Sequence, residues 1–211
     1  MSDEKRDFNA VAATWDENPG RVKMAQDVAR AIRETIAIRP DMDVLDFGCG
    51  TGLLTLELQP EVRSAIAVDS SQGMLEILNR KISSLGLKNV KTRLMDPDRG
   101  DLLEGQYDLV VSSMTFHHIL DIRPLLGQFS RILKPSGLLC VADLDPDGGT
   151  FHDDNTGVFH AGFDRCLLRK QLEDAGFESV RNRTAAIVLK PVPGGGTRAL
   201  TVFLLTGKKP E

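Results

Sequence analysis

Cysteine and net charge are both scarce in this 211-residue sequence, and each shortage excludes a class of protein. The three cysteines, Cys49, Cys140 and Cys166, are odd in number and widely spaced. This pattern argues against a disulfide framework or a cysteine-based zinc site and indicates free thiols in a reducing compartment. The formal net charge of −4 at pH 7 gives no overall attraction to nucleic acid. We therefore expect a cytoplasmic protein that does not bind nucleic acid.

Long hydrophobic segments are also missing. The longest apolar runs, at 138–142 and 202–205, have the length of strands and are far too short to cross a bilayer. Residues 1–7 are mostly charged and contain no apolar segment typical of a secretion signal. The sequence therefore predicts a soluble protein that does not associate with a membrane.

One segment combines a strand, three glycines and the start of a helix. A short apolar strand contains Asp46, and Gly48, Gly50 and Gly52 follow it at alternate positions before a leucine-rich helical run. A strand that leads through glycines into a helix N-terminus brings bare backbone against a nucleotide-like ligand. Glycine adopts backbone angles that other residues avoid and has no Cβ to hold the ligand away. The segment therefore predicts a ligand-binding loop.

The spacing of the glycines separates two classes of ligand. A dinucleotide fingerprint needs glycines at relative positions one, three and six, but the sixth position counted from Gly48 is Leu53. The chain has Asp-x-Gly-x-Gly-x-Gly instead. This spacing disfavours an NAD-dependent oxidoreductase. A purely structural turn remains an alternative for the glycines taken alone.

Strands and helices alternate through most of the sequence. Short apolar strands are predicted at 65–68, 90–94, 107–112 and 138–143, and amphipathic helices separate most of them. A helix at 8–16 and another that ends before Pro40 precede the first strand. Such alternation is typical of a parallel, doubly wound sheet.

The two ends of the chain depart from this alternation. Residues 180–189 and 199–206 are strand-like with no helix between them, which predicts an antiparallel hairpin. The expected fold class is therefore α/β: a doubly wound, Rossmann-like, seven-stranded sheet, mostly parallel, with an antiparallel last strand in a C-terminal hairpin. Because two helices precede the first strand where the fold needs one, we divide the chain into an N-terminal helical lid (1–40) and a core (41–211) with a substrate-side loop (144–163).

The pattern Asp-x-Gly-x-Gly-x-Gly resembles motif I of the class I S-adenosylmethionine (SAM) dependent methyltransferases. Residues 69–75 and 112–119 are similar to the segments that follow the second and fourth strands in that family, and the resemblance is strong over 41–143. It implies methyl transfer as the activity and SAM as the cofactor. It also implies ten cofactor-binding residues: Asp46, Gly48, Cys49, Gly50, Gly52, Asp69, Ser70, Met74, Asp96 and Ser112.

Two of these acids have a second interpretation. Asp69 ends the second strand, where a carboxylate can accept hydrogen bonds from both ribose hydroxyls, but it can also cap the next helix, as can Ser70 or Ser71. Asp96 follows the third strand, where the acid of the family accepts a hydrogen bond from the adenine amino group. Asp98 is close enough to compete, and a solvated turn carboxylate is the structural alternative for both.

Two adjacent histidines, His117 and His118, follow the fourth strand. Neighbouring side chains point in different directions on a helix or a strand, so we expect His117 to line the pocket and His118 to pack into the scaffold. His117 is the candidate catalytic base, although a base is needed only if the acceptor must lose a proton. A metal site would need further ligands, and no residue at metal-binding spacing supplies them. We therefore expect no metal.

The residues near the same sheet edge bear on the acceptor. Family members that methylate amino groups of nucleic acids have Asn/Asp-Pro-Pro-Tyr/Phe after the fourth strand, and residues 112–115 do not match it. The candidate acceptor-pocket residues are Trp15 and Arg21 of the lid and His152 and His160 of the loop 144–163, although ordinary packing explains them equally well. We therefore expect a SAM-dependent methyltransferase acting on a small-molecule acceptor. A SAM-binding protein without catalysis is the alternative, and the oligomeric state is left open.

Overall fold

Strands and helices alternate along the chain in the computed structural model, which describes residues 6–192 and 194–211. The strands are β1 (Asp43–Phe47), β2 (Ser64–Asp69), β3 (Val90–Leu94), β4 (Tyr107–Ser113), β5 (Leu133–Leu144), β6 (Glu178–Pro191) and β7 (Thr197–Lys208). The α-helices are α1 (Phe8–Val11), α2 (Pro19–Thr35), α3 (Leu53–Leu58), α4 (Gln72–Ser84), α5 (Arg123–Ile132) and α6 (Arg165–Asp174). Short 3-10 helices lie at Ala12–Glu17, Gln59–Glu61, Pro97–Arg99 and Phe116–His118.

All seven strands belong to one sheet with the order β3-β2-β1-β4-β5-β7-β6. β1 pairs in parallel with β2 and β4, and parallel pairing continues to β3 on one side and to β5 on the other. β7 is antiparallel to both of its neighbours, β5 and β6. The predicted fold class is therefore confirmed, including the reversed last strand. The strand order reverses between β1 and β4, and open α/β sheets bind ligands at the carboxyl ends of strands beside such a reversal.

Side-chain caps set the starts of four helices, among them the short α1, which Asp7 caps. Asn18 caps α2, with Pro19 in the first turn, and both residue types are favoured at these positions of a helix start. Asp164 caps α6 through hydrogen bonds from the backbone N–H groups of Cys166 and Leu167. Ser71 caps α4, and the carboxylate of Asp69 is therefore not needed as a helix cap.

Helices cover both faces of the sheet, and the sheet separates the two largest core clusters. One core contains Phe129 of α5 and Leu168 of α6, and the other contains Val28 and Ile32 of α2. Helix α2 is thus part of the layer that covers the sheet, whereas the preceding residues 8–17 pack against α4. If the lid is only the part that does not cover the sheet, it ends before α2. The predicted boundary between lid and core at residue 40 stays a prediction. None of the helices in the described part of the chain has both the length and the apolar character needed to span a membrane.

Two elements differ in detail from the prediction. β5 begins at Leu133 instead of residue 138. The strand continues through an irregularity at Ser136, whose φ is +61°. The pairing with β4 shifts register between Tyr107 and Leu109 at the same place. The predicted helix at 8–16 is the short helix α1 followed by the 3-10 helix Ala12–Glu17.

The C-terminal hairpin is longer than predicted. β6 and β7 pair as far as Pro191 and Thr197, but β7 pairs with β5 only over residues 202–208. The remaining part, 186–191 paired with 197–202, extends past the carboxyl end of β5 and is called the outer hairpin below. It lies at the edge where a doubly wound sheet binds its ligand.

Candidate active site

A cavity of about 580 Å³ opens at the carboxyl edge of the sheet beside β1 and β4. It is lined by the glycine loop (48–52), the lid segment (8–17), the start of α2, the loop after β4, the loop 144–163 and the outer hairpin. Small-molecule sites in proteins typically have volumes of roughly 300–1,000 Å³. Segments that are distant in sequence therefore combine into one site of suitable size.

The three glycines of the glycine loop serve different structural purposes, although all three have positive φ angles. A Cβ at Gly48 would overlap the side chain of Thr115, and a Cβ at Gly52 would overlap Leu78. These two glycines permit close packing. A Cβ at Gly50 would meet no atom within 4 Å, so the missing side chain there leaves space within the cavity. A side chain at Gly50 would therefore enter the cavity, and its absence leaves the backbone of Gly50 open to a ligand.

Asp69 ends β2 beside the glycine loop. Its Oδ2 accepts a hydrogen bond from the backbone N–H of Gly50 at 2.8 Å, and its Oδ1 accepts one from Ser71 at 2.8 Å. Burial raises the pKa of Asp69, although these backbone hydrogen bonds act in the opposite direction. Each carboxylate oxygen can accept a further hydrogen bond. Asp69 therefore fixes the glycine loop and still has acceptor capacity for ligand hydroxyl groups.

Asp46 lies in the wall of the cavity near the end of β1, and only 2% of its surface is exposed. Thr55 Oγ1 donates a hydrogen bond to its Oδ2 at 2.5 Å. Burial raises the pKa of Asp46 to about 7, against the effect of the Thr55 hydrogen bond and with a contribution from the charge of Asp69. A buried carboxyl group with a strongly shifted pKa in a cleft is typical of a functional site.

Most of the other predicted cofactor residues also line the cavity. These are Gly48, Cys49, Ser70, Met74 and Asp96. Ser112 and Gly52 are not part of the lining, because Ser112 Oγ donates to the carbonyl of Phe47 at 2.9 Å and Gly52 lies beneath α4. Asp96 lies 3.5 Å from Arg99 in an ion pair. The side chain of Asp98 lies outside the part of the chain that is described.

Trp15 and Arg21, two of the four candidates for the acceptor pocket, both line the cavity. The guanidinium carbon of Arg21 lies 3.8 Å from the centre of the Trp15 ring, and Arg21 Nη1 donates to the Trp15 carbonyl at 3.2 Å. Burial lowers the pKa of Arg21, and the charge of Arg6 adds to this effect. The cation–π contact holds the indole in the cavity wall.

The lid segment is hydrogen-bonded to the glycine loop and to α4. Asp16 accepts a hydrogen bond from Thr51 Oγ1 at 2.6 Å and pairs with Lys81 at 2.5 Å. Lys81 also donates to the Thr51 carbonyl at 2.8 Å. Asn9 Oδ1 accepts a hydrogen bond from the backbone N–H of Gly73 at 2.8 Å. These polar contacts fasten the lid segment over the loop, and nothing in the sequence pattern indicated them.

His117 follows β4 and is 1% exposed. Its Nδ1 lies 2.7 Å from Oδ1 of Asp143 near the end of β5. Burial acts to raise the pKa of Asp143, but the charge and hydrogen bond of His117 lower it overall. Nδ1 of His117 therefore carries a hydrogen that it donates to the Asp143 carboxylate, and in the neutral form of the ring Nε2 is the acceptor. Sequence reasoning missed Asp143, although an acid at the carboxyl end of a central strand is a signal that could have identified it.

His118 also lines the cavity, and the expectation that it packs into the scaffold is wrong. The Phe116–His118 turn places both neighbouring rings on the cavity side, 4.2 Å apart between centroids. His118 Nδ1 lies 2.7 Å from the carbonyl oxygen of Gly157, and a carbonyl can only accept, so Nδ1 carries the hydrogen. Burial, followed by the charge of His117, lowers the pKa of His118 to about 3.

His152 comes from the loop 144–163 and completes a group of three histidines. Its Nε2 lies 3.1 Å from Nε2 of His117, and its Nδ1 lies 3.5 Å from Arg6 Nη1. Burial and the charge of His117 lower the pKa of His152 to about 4. One ring nitrogen from each of the three histidines lies within 4.8 Å of the others. The expectation that no further ligand is available near His117 and His118 is therefore wrong, because the fold supplies one that sequence spacing does not reveal.

His160 does not join this group. Its Nε2 lies 2.9 Å from the carbonyl oxygen of Ile119, and its ring packs against Phe163. It lines a separate and smaller pocket of about 230 Å³. The prediction that His160 belongs to the acceptor pocket therefore does not match its position, because the loop turns this side chain toward α6.

The outer hairpin contributes residues that the sequence did not indicate. Lys190 donates a hydrogen bond to the carbonyl of Phe151 and lies 3.2 Å from Asp153. Lys190 and its neighbours Val188 and Leu189 line the cavity. The hairpin thereby fastens the loop 144–163, which carries His152, and no local motif could have signalled this long-range contact.

A family model described as a methyltransferase domain matches residues 20–183, well over half of the chain. The chain belongs to the class I SAM-dependent methyltransferases. It is 33% identical over 135 residues to an uncharacterised methyltransferase of Schizosaccharomyces pombe, covering 57% of this chain and 48% of that protein. It is 30% identical over 199 residues to a malonyl-[acyl-carrier protein] O-methyltransferase of a Methylovorus species, covering 83% of this chain and 63% of that protein. The chain thus spans about half to three fifths of the length of these relatives.

A solved structure from Haloferax volcanii has a similar fold. In it, a methyltransferase is in complex with the Trm112 methyltransferase activator. The TM-score is 0.79 with 20% sequence identity, over 98% of this chain and 99% of that chain. At this level of identity the similarity confirms the fold alone.

Proposed function

We propose that the protein binds SAM in the cavity and transfers its methyl group to a small-molecule acceptor. The observation that carries this proposal is the junction of β1, β2 and the glycine loop. There the carboxylate of Asp69 holds the loop through the Gly50 N–H, and open space lies where a Gly50 side chain would be. Family membership supports SAM as the ligand of such a junction.

The residues around the junction fit the parts of SAM. Asp69 offers acceptor lone pairs to the ribose hydroxyls, and Asp96 at the next strand end offers a carboxylate to the adenine amino group. Met74 lines the same region and provides an apolar surface for the adenine ring. Asp46 lies on β1 just before the loop, and we assign its carboxyl group to the positively charged part of the cofactor. The set is completed by Gly48, Cys49 and Ser70.

The remaining walls form the acceptor side. SAM supplies a methyl group already activated by its sulfonium, so alignment and exclusion of water are the main tasks of the protein. Trp15 of the lid segment and Arg21 at the start of α2 close the cavity on this side. His117, positioned by Asp143, presents Nε2 as a proton acceptor for an acceptor hydroxyl, and its role as a base depends on the acceptor.

Several observations support a small acceptor. The cavity is enclosed by the lid segment, the loop 144–163 and the outer hairpin, which leaves room for a compact molecule. Residues 112–115 lack the motif of amino-methylating nucleic-acid enzymes, and the net charge is −4. The Methylovorus relative is named as an O-methyltransferase, which favours an oxygen acceptor. Three free cysteines, at 49, 140 and 166, support a cytoplasmic location.

Calorimetric titration tests the cofactor assignment. We expect binding of SAM and S-adenosylhomocysteine and no heat with NADH. Asp69→Ala should weaken S-adenosylhomocysteine binding more than Asp96→Ala, because each charge-assisted hydrogen bond contributes about 1.5–3 kcal/mol and Asp69 can make two. Binding of NADH alone, or equal affinities for wild type and a folded Asp69→Ala, would contradict the assignment. Transfer of label from methyl-labelled SAM into pools of small metabolites then separates an enzyme from a SAM-binding protein without catalysis.

A further inference from the structure

Three of the four histidines of the chain meet in the cavity wall. His117 and His118 come from the turn after β4, and His152 comes from the loop 144–163. One ring nitrogen of each lies within 4.8 Å of the others, and Nε2 of His117 is 3.1 Å from Nε2 of His152. With Zn–N bonds of about 2.0–2.1 Å, two nitrogens of a tetrahedral site are separated by roughly 3.3 Å. The His117–His152 distance is thus already close to this value, and the third nitrogen, within 4.8 Å, would have to move inward to complete the set.

Two of the rings are oriented by partners on their other nitrogen. Asp143 accepts from Nδ1 of His117 at 2.7 Å, and the carbonyl of Gly157 accepts from Nδ1 of His118 at 2.7 Å. Metal-binding histidines almost always donate their second N–H to a carboxylate or a backbone carbonyl in this way. Both rings are thereby fixed in the tautomer that has its lone pair on Nε2. Asp143 is itself fully buried, so this orientation is built into the core.

We propose that His117, His118 and His152 bind one divalent transition-metal cation, with zinc as the best match. Neutral imidazole suits zinc among the first-row metals, and three protein ligands with a fourth position open are typical of catalytic zinc sites. The open position would face the cavity, where water or an oxygen of the acceptor can occupy it. The ligands are distinct from the SAM-binding residues, so the metal site does not depend on SAM binding. With the metal bound, Nε2 of His117 is a ligand and no longer the proton acceptor of the proposed function.

Metal binding would require one rearrangement. Arg6 can only donate, so its 3.5 Å contact with Nδ1 of His152 places the hydrogen of that ring on Nε2. Coordination through Nε2 would move this hydrogen to Nδ1, release the contact with Arg6, and replace the 3.1 Å hydrogen bond between His152 and His117 by bonds to the metal. The contact is at the limit of hydrogen-bond distance, so its loss is a small cost compared with a metal–nitrogen bond.

Metal titration of the full-length protein tests the site. After treatment with a chelator, the protein is titrated with Zn²⁺ in competition with a chromophoric chelator, and with Co²⁺ followed by visible absorption. We expect one equivalent to bind, with the intense visible absorption of tetrahedral Co²⁺ and a rise in melting temperature by mass action. His118→Gln and His152→Gln should each lower the affinity at least 100-fold, and Asp143→Asn should lower it about 10- to 100-fold.

His160→Gln is the matched control, because it removes the fourth histidine, which lies in a different pocket. It should bind Zn²⁺ as wild type does. Equal affinities in wild type, His118→Gln and His152→Gln would overturn the proposal and would point to another ligand such as the exposed Cys166. Absence of stoichiometric binding by folded wild-type protein would overturn it as well. S-adenosylhomocysteine calorimetry on the same samples shows separately whether the proposed function fails.

Discussion

At the scale of single residues, the glycine loop shows that one motif can combine packing and binding. Gly48 and Gly52 are needed because neighbouring side chains fill the space of a Cβ, whereas Gly50 borders open cavity. The sequence pattern alone does not distinguish these purposes, since all three glycines have the same spacing. The distinction follows from which protein atoms surround each position. Alanine at Gly50 and alanine at a glycine of similar φ away from the cavity should therefore cause similar backbone strain, and only the first should affect ligand binding.

Gly50→Ala should weaken S-adenosylhomocysteine binding at least tenfold while the protein stays folded. The φ of Gly50 is +54°, so alanine costs about 1–2 kcal/mol of stability, and its methyl group would occupy space assigned to the ligand. Gly86→Ala is the matched control, because Gly86 has a φ of +65° and equally open surroundings at the far end of α4. It should lose similar stability and keep its affinity. The measurements are thermal unfolding and calorimetry, and equal affinities in the two variants would show that Gly50 does not contact the ligand.

At the scale of secondary-structure elements, the lid segment is the part that is separable from the core. Helix α2 contributes buried residues to the sheet-covering layer, but residues 8–17 bury only Ala12 and are held by polar contacts. Asp16 and Asn9 connect the lid segment to Thr51 of the glycine loop and to the start of α4. Opening of the lid would thus break hydrogen bonds at the cofactor site without exposing the core.

Removal of residues 1–17 should leave a folded protein that binds S-adenosylhomocysteine roughly tenfold more weakly and has lost most of its turnover. The truncation retains Asn18, which caps α2, and it removes the contacts to Thr51 and the cover over the cavity. Trp15 is the single tryptophan of the chain, so its fluorescence in the full-length protein reports directly on the lid during titration. Asp16→Ala is a milder variant that keeps the aromatic cover and should show an intermediate affinity. Wild-type affinity and turnover in the truncated protein would contradict a lid role for this segment.

At the scale of the whole molecule, the parts that could be predicted from the sequence are those encoded locally. The alternation of strands and helices predicted the sheet, and the spacing of Asp46 and the glycines predicted the binding loop. Both predictions were possible because the patterns involve residues close together in the chain. The histidine group could not be predicted, since His152 reaches His117 only through the path of the loop 144–163. The same holds for Lys190, whose position depends on how far the hairpin extends beyond β5. Position along a strand would have been sufficient to identify Asp143.

The binding site also affects the stability of the whole fold through Asp46. Burial raises the pKa of Asp46 to about 7, from an ordinary value of 3.8. The folded state therefore keeps a proton that the unfolded state releases, and the stability associated with this group is complete below about pH 4 and declines as the pH rises to about 7. The decline has a limiting slope of about 1.4 kcal/mol per pH unit. Asp69 has a pKa shifted in the same direction, so a variant is needed to isolate the contribution of Asp46.

Asp46→Asn should remove this contribution while Thr55 keeps an oxygen acceptor for its hydroxyl group. We expect the free energy of unfolding of Asp46→Asn, relative to wild type, to increase by about 1–3 kcal/mol between pH 5 and pH 7.5. Urea unfolding of both proteins without ligand measures this difference, and groups that titrate equally in both proteins cancel from it. The sign is diagnostic, because a carboxylate stabilised by neighbouring cations would give the opposite trend. A difference that does not change with pH would mean that Asp46 is already ionised in the folded protein without ligand. Ionisation of Asp46 would then not lower the free energy of unfolding in this pH range.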